Sequence, residues 1–266
     1  MSSANRPLPQ WQLPAGVTRG AWQYTQAEHI ADQYDEYFAC SDLFELDERV
    51  VARYLQKPGW VVDLGCGTGR AVVPLARRGF RCLAVDLSPH MLRIVGQKAT
   101  AEGLNIMRLR ANLVELDSLR DQIADYCLCL FSTIGMIQGR ENRARALRHA
   151  WRILKPGGLL IIHVHNFWYH LLYPAGRRWI LSHLAQVLFN RNLQRGDKFY
   201  DYLGIPQMYL HTYGERELLR CLRQAGFQLA ELMRLDAPRQ RPLRLPWLFG
   251  WLRANGWIVV CRRPFD

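Results

Sequence analysis

Residues 61–70 read Val-Val-Asp-Leu-Gly-Cys-Gly-Thr-Gly-Arg. A short apolar run stops on a carboxylate, and three glycines follow at alternate positions. The next stretch, RAVVPLARRG, has helical spacing and closes on Gly79. Strand, glycine turn and helix in that order place free N–H groups and a partial positive charge at the carboxyl end of a sheet. The spacing is Gly-x-Gly-x-Gly, at Gly65, Gly67 and Gly69, which differs from the Gly-x-Gly-x-x-Gly of dinucleotide sites. It is not a P-loop either, since no Gly-Lys-Ser/Thr follows. Asp63 narrows the ligand further. A carboxylate at that strand end repels a pyrophosphate and suits a ligand with an ammonium and a second positive centre.

The pattern around this turn repeats. RCLAVDL reads as a second strand, and SPHMLRIVGQKATAEG as a helix with a Ser cap and a first-turn Pro. NIMRLRANL, ADYCLCLF and LLIIHVHN read as the third, fourth and fifth strands. ENRARALRHAWRILKPGG, before the fifth, reads as a helix stopped by Pro156 and two glycines. Apolar strands alternating with helices predict a parallel sheet covered on both faces. Two helices are predicted ahead of it, between residues 26 and 56. After it, residues 166–210 break the alternation with an aromatic, basic, partly helical insertion. GERELLRCLRQAGF resumes the pattern as a helix, and QLAELMRLD and GWIVVCRR read as two last strands. They are joined by a linker rich in Pro and Arg.

These landmarks resemble the class I S-adenosylmethionine-dependent methyltransferases. VVDLGCGTGR is similar to that family's first motif and LAVDLSPHML to its second; ANLVEL and WRILKPGGLLII fall where the third strand ends and the fifth begins. The resemblance covers residues 60–165 closely and 212–262 more loosely. It implies a Rossmann-like α/β fold, with a seven-stranded, mostly parallel sheet whose last two strands form an edge hairpin. It implies S-adenosylmethionine as cofactor, held by Asp63, Gly65, Gly67 and Gly69, with Asp86 on the ribose hydroxyls. Leu87, Asn112, Leu113 and Phe131 complete the implied cofactor set. The family usually carries an acidic residue near Asn112; here an amide carbonyl would meet the adenine, or the residue simply makes a turn.

Methyl transfer from a sulfonium is an in-line displacement with a neutral leaving group, so alignment and desolvation can supply most of the catalysis. A base is needed only when the acceptor attacks from a protonated state. His165 and His211 are the candidate catalytic residues. Each also fits a plain structural histidine. Asn166 at the sheet lip, Tyr34 and Tyr37 in the N-terminal helices, and Tyr209 in MYLHTYG are candidate substrate contacts, and core packing is the alternative for each. The segment after the fourth strand, LFSTIGM, lacks the Asp/Asn-Pro-Pro-aromatic motif of enzymes that methylate exocyclic base amines. No Cys follows a Pro, as the nucleophile of cytosine C5 methylation typically does.

Charge and cysteine usage bound the partners. The formal net charge is +12, with 35 Lys and Arg against 23 Asp and Glu. Residues 1–138 hold 14 basic and 15 acidic residues, and residues 139–266 hold 21 and 8. A basic half suits RNA, anionic lipid or an acidic substrate. An arginine-heavy chain with four lysines also fits simple compositional bias. The reading favoured here is a small or lipophilic acceptor. Against it stand a tRNA methyltransferase esterifying a carboxymethyl group on wobble uridine, to whose carboxyl-terminal region YLHTYGERELLRCLRQAGF is similar, and a non-catalytic S-adenosylmethionine-binding protein. Peripheral membrane contact through Arg177, Arg178 and Trp179 is a further expectation. Seven cysteines without a C-x-x-C pair predict buried thiols such as Cys127 and Cys129, no metal site, and a cytoplasmic setting. The expected layout is a loose tail over 1–21, capping helices over 22–58, the cofactor core over 59–165, an insertion or lid over 166–210, and the last helix and strands over 211–266.

Overall fold

A computed structural model describes residues 9–39 and 44–265. Three helices precede the sheet, where the sequence pattern predicted two: α1 (Arg19–Gln26), α2 (Glu28–Ala39) and α3 (Glu45–Tyr54). α1 starts inside the stretch expected to be a loose tail, because Thr18 caps it. The Thr18 hydroxyl accepts from the Ala21 N–H at 3.2 Å. The described part of that stretch is also tied to the core. Asn112 Nδ2 donates to the Ala15 carbonyl at 2.9 Å, and the Gln138 N–H donates to the Gly16 carbonyl at 2.8 Å. Residues 1–8 lie outside the described residues.

The core then runs β1 (Trp60–Leu64), α4 (Val72–Arg77), β2 (Arg81–Asp86), α5 (Pro89–Ala101), β3 (Ile106–Arg110), β4 (Ala124–Cys129), α6 (Arg140–Ile153) and β5 (Leu154–His165). α6 ends three residues before Pro156, because Leu154 is already extended and paired with Ala124 of β4. The insertion contains α7 (Pro174–Phe189) and a separate hairpin, β6 (Asp197–Tyr202) with β7 (Ile205–His211). α8 (Glu215–Gln224), β8 (Gln228–Arg234), the single turn α9 (Gly250–Arg253) and β9 (Gly256–Arg262) close the chain.

The main sheet has seven strands in the order β3-β2-β1-β4-β5-β9-β8. β1 to β5 are parallel, and β9 runs antiparallel to both β5 and β8. Successive strand side chains face opposite sides, so each strand feeds two apolar layers. Val62, Cys127, Cys129 and Ile162 pack on one face with Leu147 and Ile153 of α6. Val61, Ala84, Leu128 and Ile161 pack on the other with α3, α4 and α5. Both thiols of the β4 pair are buried and free, and burial pushes that of Cys129 up to about 12. Chain order reverses between β1 and β4, so the carboxyl ends of β1, β2 and β4 diverge there and leave a crevice for a ligand.

Candidate functional site

A cavity of about 400 Å³ opens in that crevice. Its floor is the first glycine turn. Gly65, Gly67 and Gly69 all have left-handed backbone, with φ of 83°, 53° and 87°. A Cβ on Gly65 would sit 2.2 Å from Thr133 Cγ2, whereas one on Gly67 would meet nothing, so open space begins above Gly67. Gly69 does not line the cavity. It lets α4 and α5 close, since a Cβ there would meet Val95 at 3.1 Å and Val73 at 3.2 Å.

Two carboxylates stand at the strand ends. Asp63 is 3% exposed, faces the cavity, and makes no hydrogen bond or ion pair among the described residues. Burial raises its pKa to about 7, with Asp86 adding to the rise and the Arg70 guanidinium opposing it. Arg70 lines the same cavity; it stacks 3.8 Å over the Phe44 ring, and its Nη1 is buried without a hydrogen-bond partner. An unpaired carboxylate beside an unpaired guanidinium nitrogen complements the ammonium and carboxylate of an amino acid. Asp86 accepts from the Gly67 N–H at 2.9 Å and the Ser88 N–H at 2.8 Å. Those two donors hold it at the end of β2, and each oxygen keeps a lone pair for a ligand hydroxyl. Its pKa is raised by burial, which outweighs the backbone donors.

Asn112 stands on the wall beside Leu87 and Leu113, but its amide is engaged. Its carbonyl accepts from the Val114 N–H at 3.2 Å, and its Nδ2 ties down Ala15 and reaches Glu115 at 3.2 Å. Phe131 follows β4 on a strained turn, where Phe131 and Ser132 have φ of 49° and 66°. That backbone, costing about 1–3 kcal/mol per residue, aims the Phe131 ring into the cavity.

The far side is aromatic. Tyr34, Tyr37 and Phe38 come from α2, whose Asp35 accepts from the Thr68 hydroxyl at 2.6 Å and so pins that helix over the glycine turn. Tyr24 comes from α1, and Tyr200 and Tyr202 from β6. Phe38 and Phe131 meet edge to face at 5.8 Å, and Tyr24 and Tyr202 lie 6.2 Å apart. Burial pushes the Tyr34 hydroxyl up to about 12, so it remains a donor. Nothing in the sequence marked Tyr24, Tyr200, Tyr202 or Arg239 as site residues, because α1, the hairpin and the last linker reach the cavity only through the tertiary fold. The signal for Arg70 was present: it is the residue directly after the third glycine.

The candidate catalytic and substrate residues separate. His165 lines the cavity, and Arg239 donates its Nη1 to His165 Nε2. Burial first, then the Arg239 charge, lower the His165 pKa well below the ordinary imidazole range. The ring is neutral with its Nε2 lone pair taken, so it can donate from Nδ1 but has no free site for a proton; a base role is not what this geometry supplies. His211 is off the cavity. It is fully buried between two carboxylates, with Nδ1 at 2.8 Å from Asp197 and Nε2 at 3.0 Å from Glu217. Tyr209, also fully buried, donates to Asp197 at 2.7 Å and accepts from Arg143 at 3.0 Å. These two hold the hairpin on the core instead of touching a substrate. Asn166 is likewise structural: its Nδ2 donates to the Trp251 and Ala254 carbonyls at 2.8 and 2.7 Å. Among the described residues, no group of three or more His, Cys, Asp or Glu could hold a metal ion.

A doubly wound sheet with this glycine turn, an unpaired acid at the end of β1 and a second acid at the end of β2 defines an α/β domain for an adenosyl amino acid. Known proteins agree. A family profile described as a methyltransferase domain matches residues 61–158. YqeM of Bacillus subtilis, a protein named as a methyltransferase, is 28% identical over 137 residues, 52% of this chain and 54% of its own. The ubiquinone biosynthesis O-methyltransferase of Rickettsia conorii is 31% identical over 106 residues, 40% of this chain and 35% of its own. The chain thus spans about half the length of YqeM and about a third of the Rickettsia protein. The solved structure of a methyltransferase from Methanosarcina mazei, dependent on S-adenosylmethionine, superposes with a TM-score of 0.66 at 19% identity, covering 82% of this chain and 98% of that one. Residues 61–158 thus match the methyltransferase-domain family, and the fold is similar to that of S-adenosylmethionine-dependent methyltransferases. The cofactor of that family is S-adenosylmethionine, and the unpaired Asp63, the unpaired Arg70 Nη1 and the open space above Gly67 fit it.

Proposed function

We propose that this protein transfers a methyl group from S-adenosylmethionine to a small or lipophilic acceptor. The observation that carries the reading is the aromatic chamber beyond the glycine turn. Tyrosines from α1, α2 and β6 enclose it, with Phe38 and Phe131 between them. Small pockets of this kind are lined by apolar and aromatic groups with a few placed polar ones. When bound, the cofactor supplies a methyl group on a cationic sulfur that leaves as a neutral thioether. Asp63 would pair with its ammonium and Arg70 with its carboxylate. Asp86 would accept the ribose hydroxyls, and Leu87 and Leu113 would flank the base.

The chain's own contribution to the transfer is alignment and exclusion of water. Tyr34 and Tyr24 stay protonated under burial and offer hydroxyl donors to an acceptor oxygen. His165, fixed by Arg239, orients an acceptor from Nδ1. An acceptor that is already anionic, or ionises easily, suits a chamber with these donors and no free base.

The test uses methyl-labelled S-adenosylmethionine with purified protein and an extract of source cells. Label in solvent-extractable small molecules, lost with Asp63→Asn, is the expected result. Label in RNA that nuclease releases would replace this reading with the tRNA one. Cofactor binding with no transfer to any fraction would leave a binding protein.

A further inference from the structure

The C-terminal half holds two segments with no acidic residue, 167–195 and 237–255. The fold brings them together. The Trp168 and Trp251 rings meet edge to face at 6.0 Å, and Asn166 bonds the backbone of α9.

α7 buries one face through Gly176, Ile180 and His183. Helical spacing puts Arg177, Arg178, Leu181, Leu188 and Phe189 together on the opposite face. There Leu181 is 69%, Leu188 81% and Phe189 89% exposed, so the helix is apolar on its outer side as well as its inner one. The loop before α9 behaves alike. Leu245 and Phe249 take left-handed backbone, and the Arg253 guanidinium donates to the Leu248 carbonyl at 3.0 Å. The result turns Trp247 outward, 78% exposed. Among the described residues, Arg177, Arg178 and Arg244 make no ion pair.

We infer that the outer face of α7 and the loop 244–249 form a docking surface for an anionic lipid bilayer. Three observations select that occupant. The cations are exposed, have no ion pair among the described residues and are free of acid within their segments; Arg177 spends only its Nε, on the Leu171 carbonyl at 2.9 Å, which leaves the charge to complement anionic headgroups. Trp and Phe beside Leu, projecting outward, suit the headgroup–acyl boundary. Exposed Leu181 and Leu188 are aliphatic and give bases no stacking platform, the apolar contact that nucleic acid makes. No helix among the described residues is long and apolar enough to cross a membrane, so the contact is peripheral. The same acid-free linker also carries Arg239, which lines the cavity. The docking stands independently of the methyl-transfer reading.

The experiment is co-sedimentation of the full chain with vesicles of phosphatidylcholine, with and without phosphatidylglycerol. Binding is expected only when phosphatidylglycerol is present, and it should fall as salt rises. Arg177→Gln with Arg178→Gln should weaken it roughly twenty-fold, at about fivefold per arginine near the surface. Trp247→Ser with Phe249→Ser should weaken it by at least about tenfold through lost apolar burial. Both variants should keep the thermal shift given by S-adenosylhomocysteine, which shows that they fold. Binding unchanged by both variants, or no sedimentation with anionic vesicles, would overturn the proposal. So would a dimer in solution that Trp247→Ser with Phe249→Ser dissociates while vesicles are ignored. Binding to an RNA oligomer lost only in the arginine variant would overturn it too.

Discussion

A carboxylate buried without a donor is unstable as an anion, and Asp63 sits in that condition until a cation reaches it. The pKa near 7 is the direct consequence. Asp63→Asn removes the charge at nearly constant volume. It should weaken S-adenosylhomocysteine binding about 10–100-fold, the range for a hydrogen bond to a charged group. Isothermal titration calorimetry reads this, and a change below about threefold would detach Asp63 from the ligand. His165 makes the opposite case: a titratable group in the cavity whose acceptor nitrogen is spent on Arg239. Loss of a general base costs roughly 10²–10⁴ in rate. His165→Ala should cost less than about tenfold in initial rate on the labelled acceptor fraction. A hundredfold loss would return the base role to this ring.

Elements bring to the cavity what no local motif encodes. The β6–β7 hairpin is held by Asp197, which accepts from Tyr209, His211 and the Gln194 N–H at 2.9 Å. Burial opposes its ionisation, yet the His211, Gln194 and Tyr209 donors win, and its pKa is lowered. Asp197→Ala leaves three donors unmatched, two of them buried, a loss of about 3–5 kcal/mol for a broken buried pair. Because the hairpin supplies Tyr200 and Tyr202 but none of the glycine turn, cofactor affinity should hold within about threefold. Transfer should fall by at least about tenfold. Equal losses in both would mean that the hairpin supports the cofactor too. The same division explains what could be read from the chain. Asp63, Gly67 and Asp86 were legible because strand, turn and acid lie within a few residues and their chemistry is local. Tyr24, Tyr200 and Arg239 were not, since they enter from elements far apart in sequence. Tyr209 and His211 misled for a related reason: alternation on a strand says which residues share a face, not whether that face meets a cavity or a buried acid.

On the scale of the whole molecule, five separated parts of the chain wall one cavity: the stretch from Gly16 into α1, the helix α2, the strand ends, the hairpin and the Arg239 linker. A ligand that touches them ties the molecule together, and its stabilising effect must follow the charge of Asp63. In the empty protein the folded pKa of about 7 lies above the ordinary carboxylate value near 3.9. Between those values the folded state binds the extra proton, so stability falls as pH rises and the loss is complete above about 7. A bound ammonium keeps Asp63 ionised and removes that decline. The increment in Tm from a fixed excess of S-adenosylhomocysteine should therefore grow between about pH 5 and pH 8. With ligand at about a hundred times Kd, the stabilisation is about 2.7 kcal/mol, or roughly 5–10 °C for a chain of this size. Differential scanning fluorimetry across that range measures it, with Asp63→Asn as the comparison. The wild-type increment should climb with pH while that of the variant stays small and flat. A pH-independent increment in the wild type would place the ligand's cation elsewhere and leave the buried carboxylate without a partner.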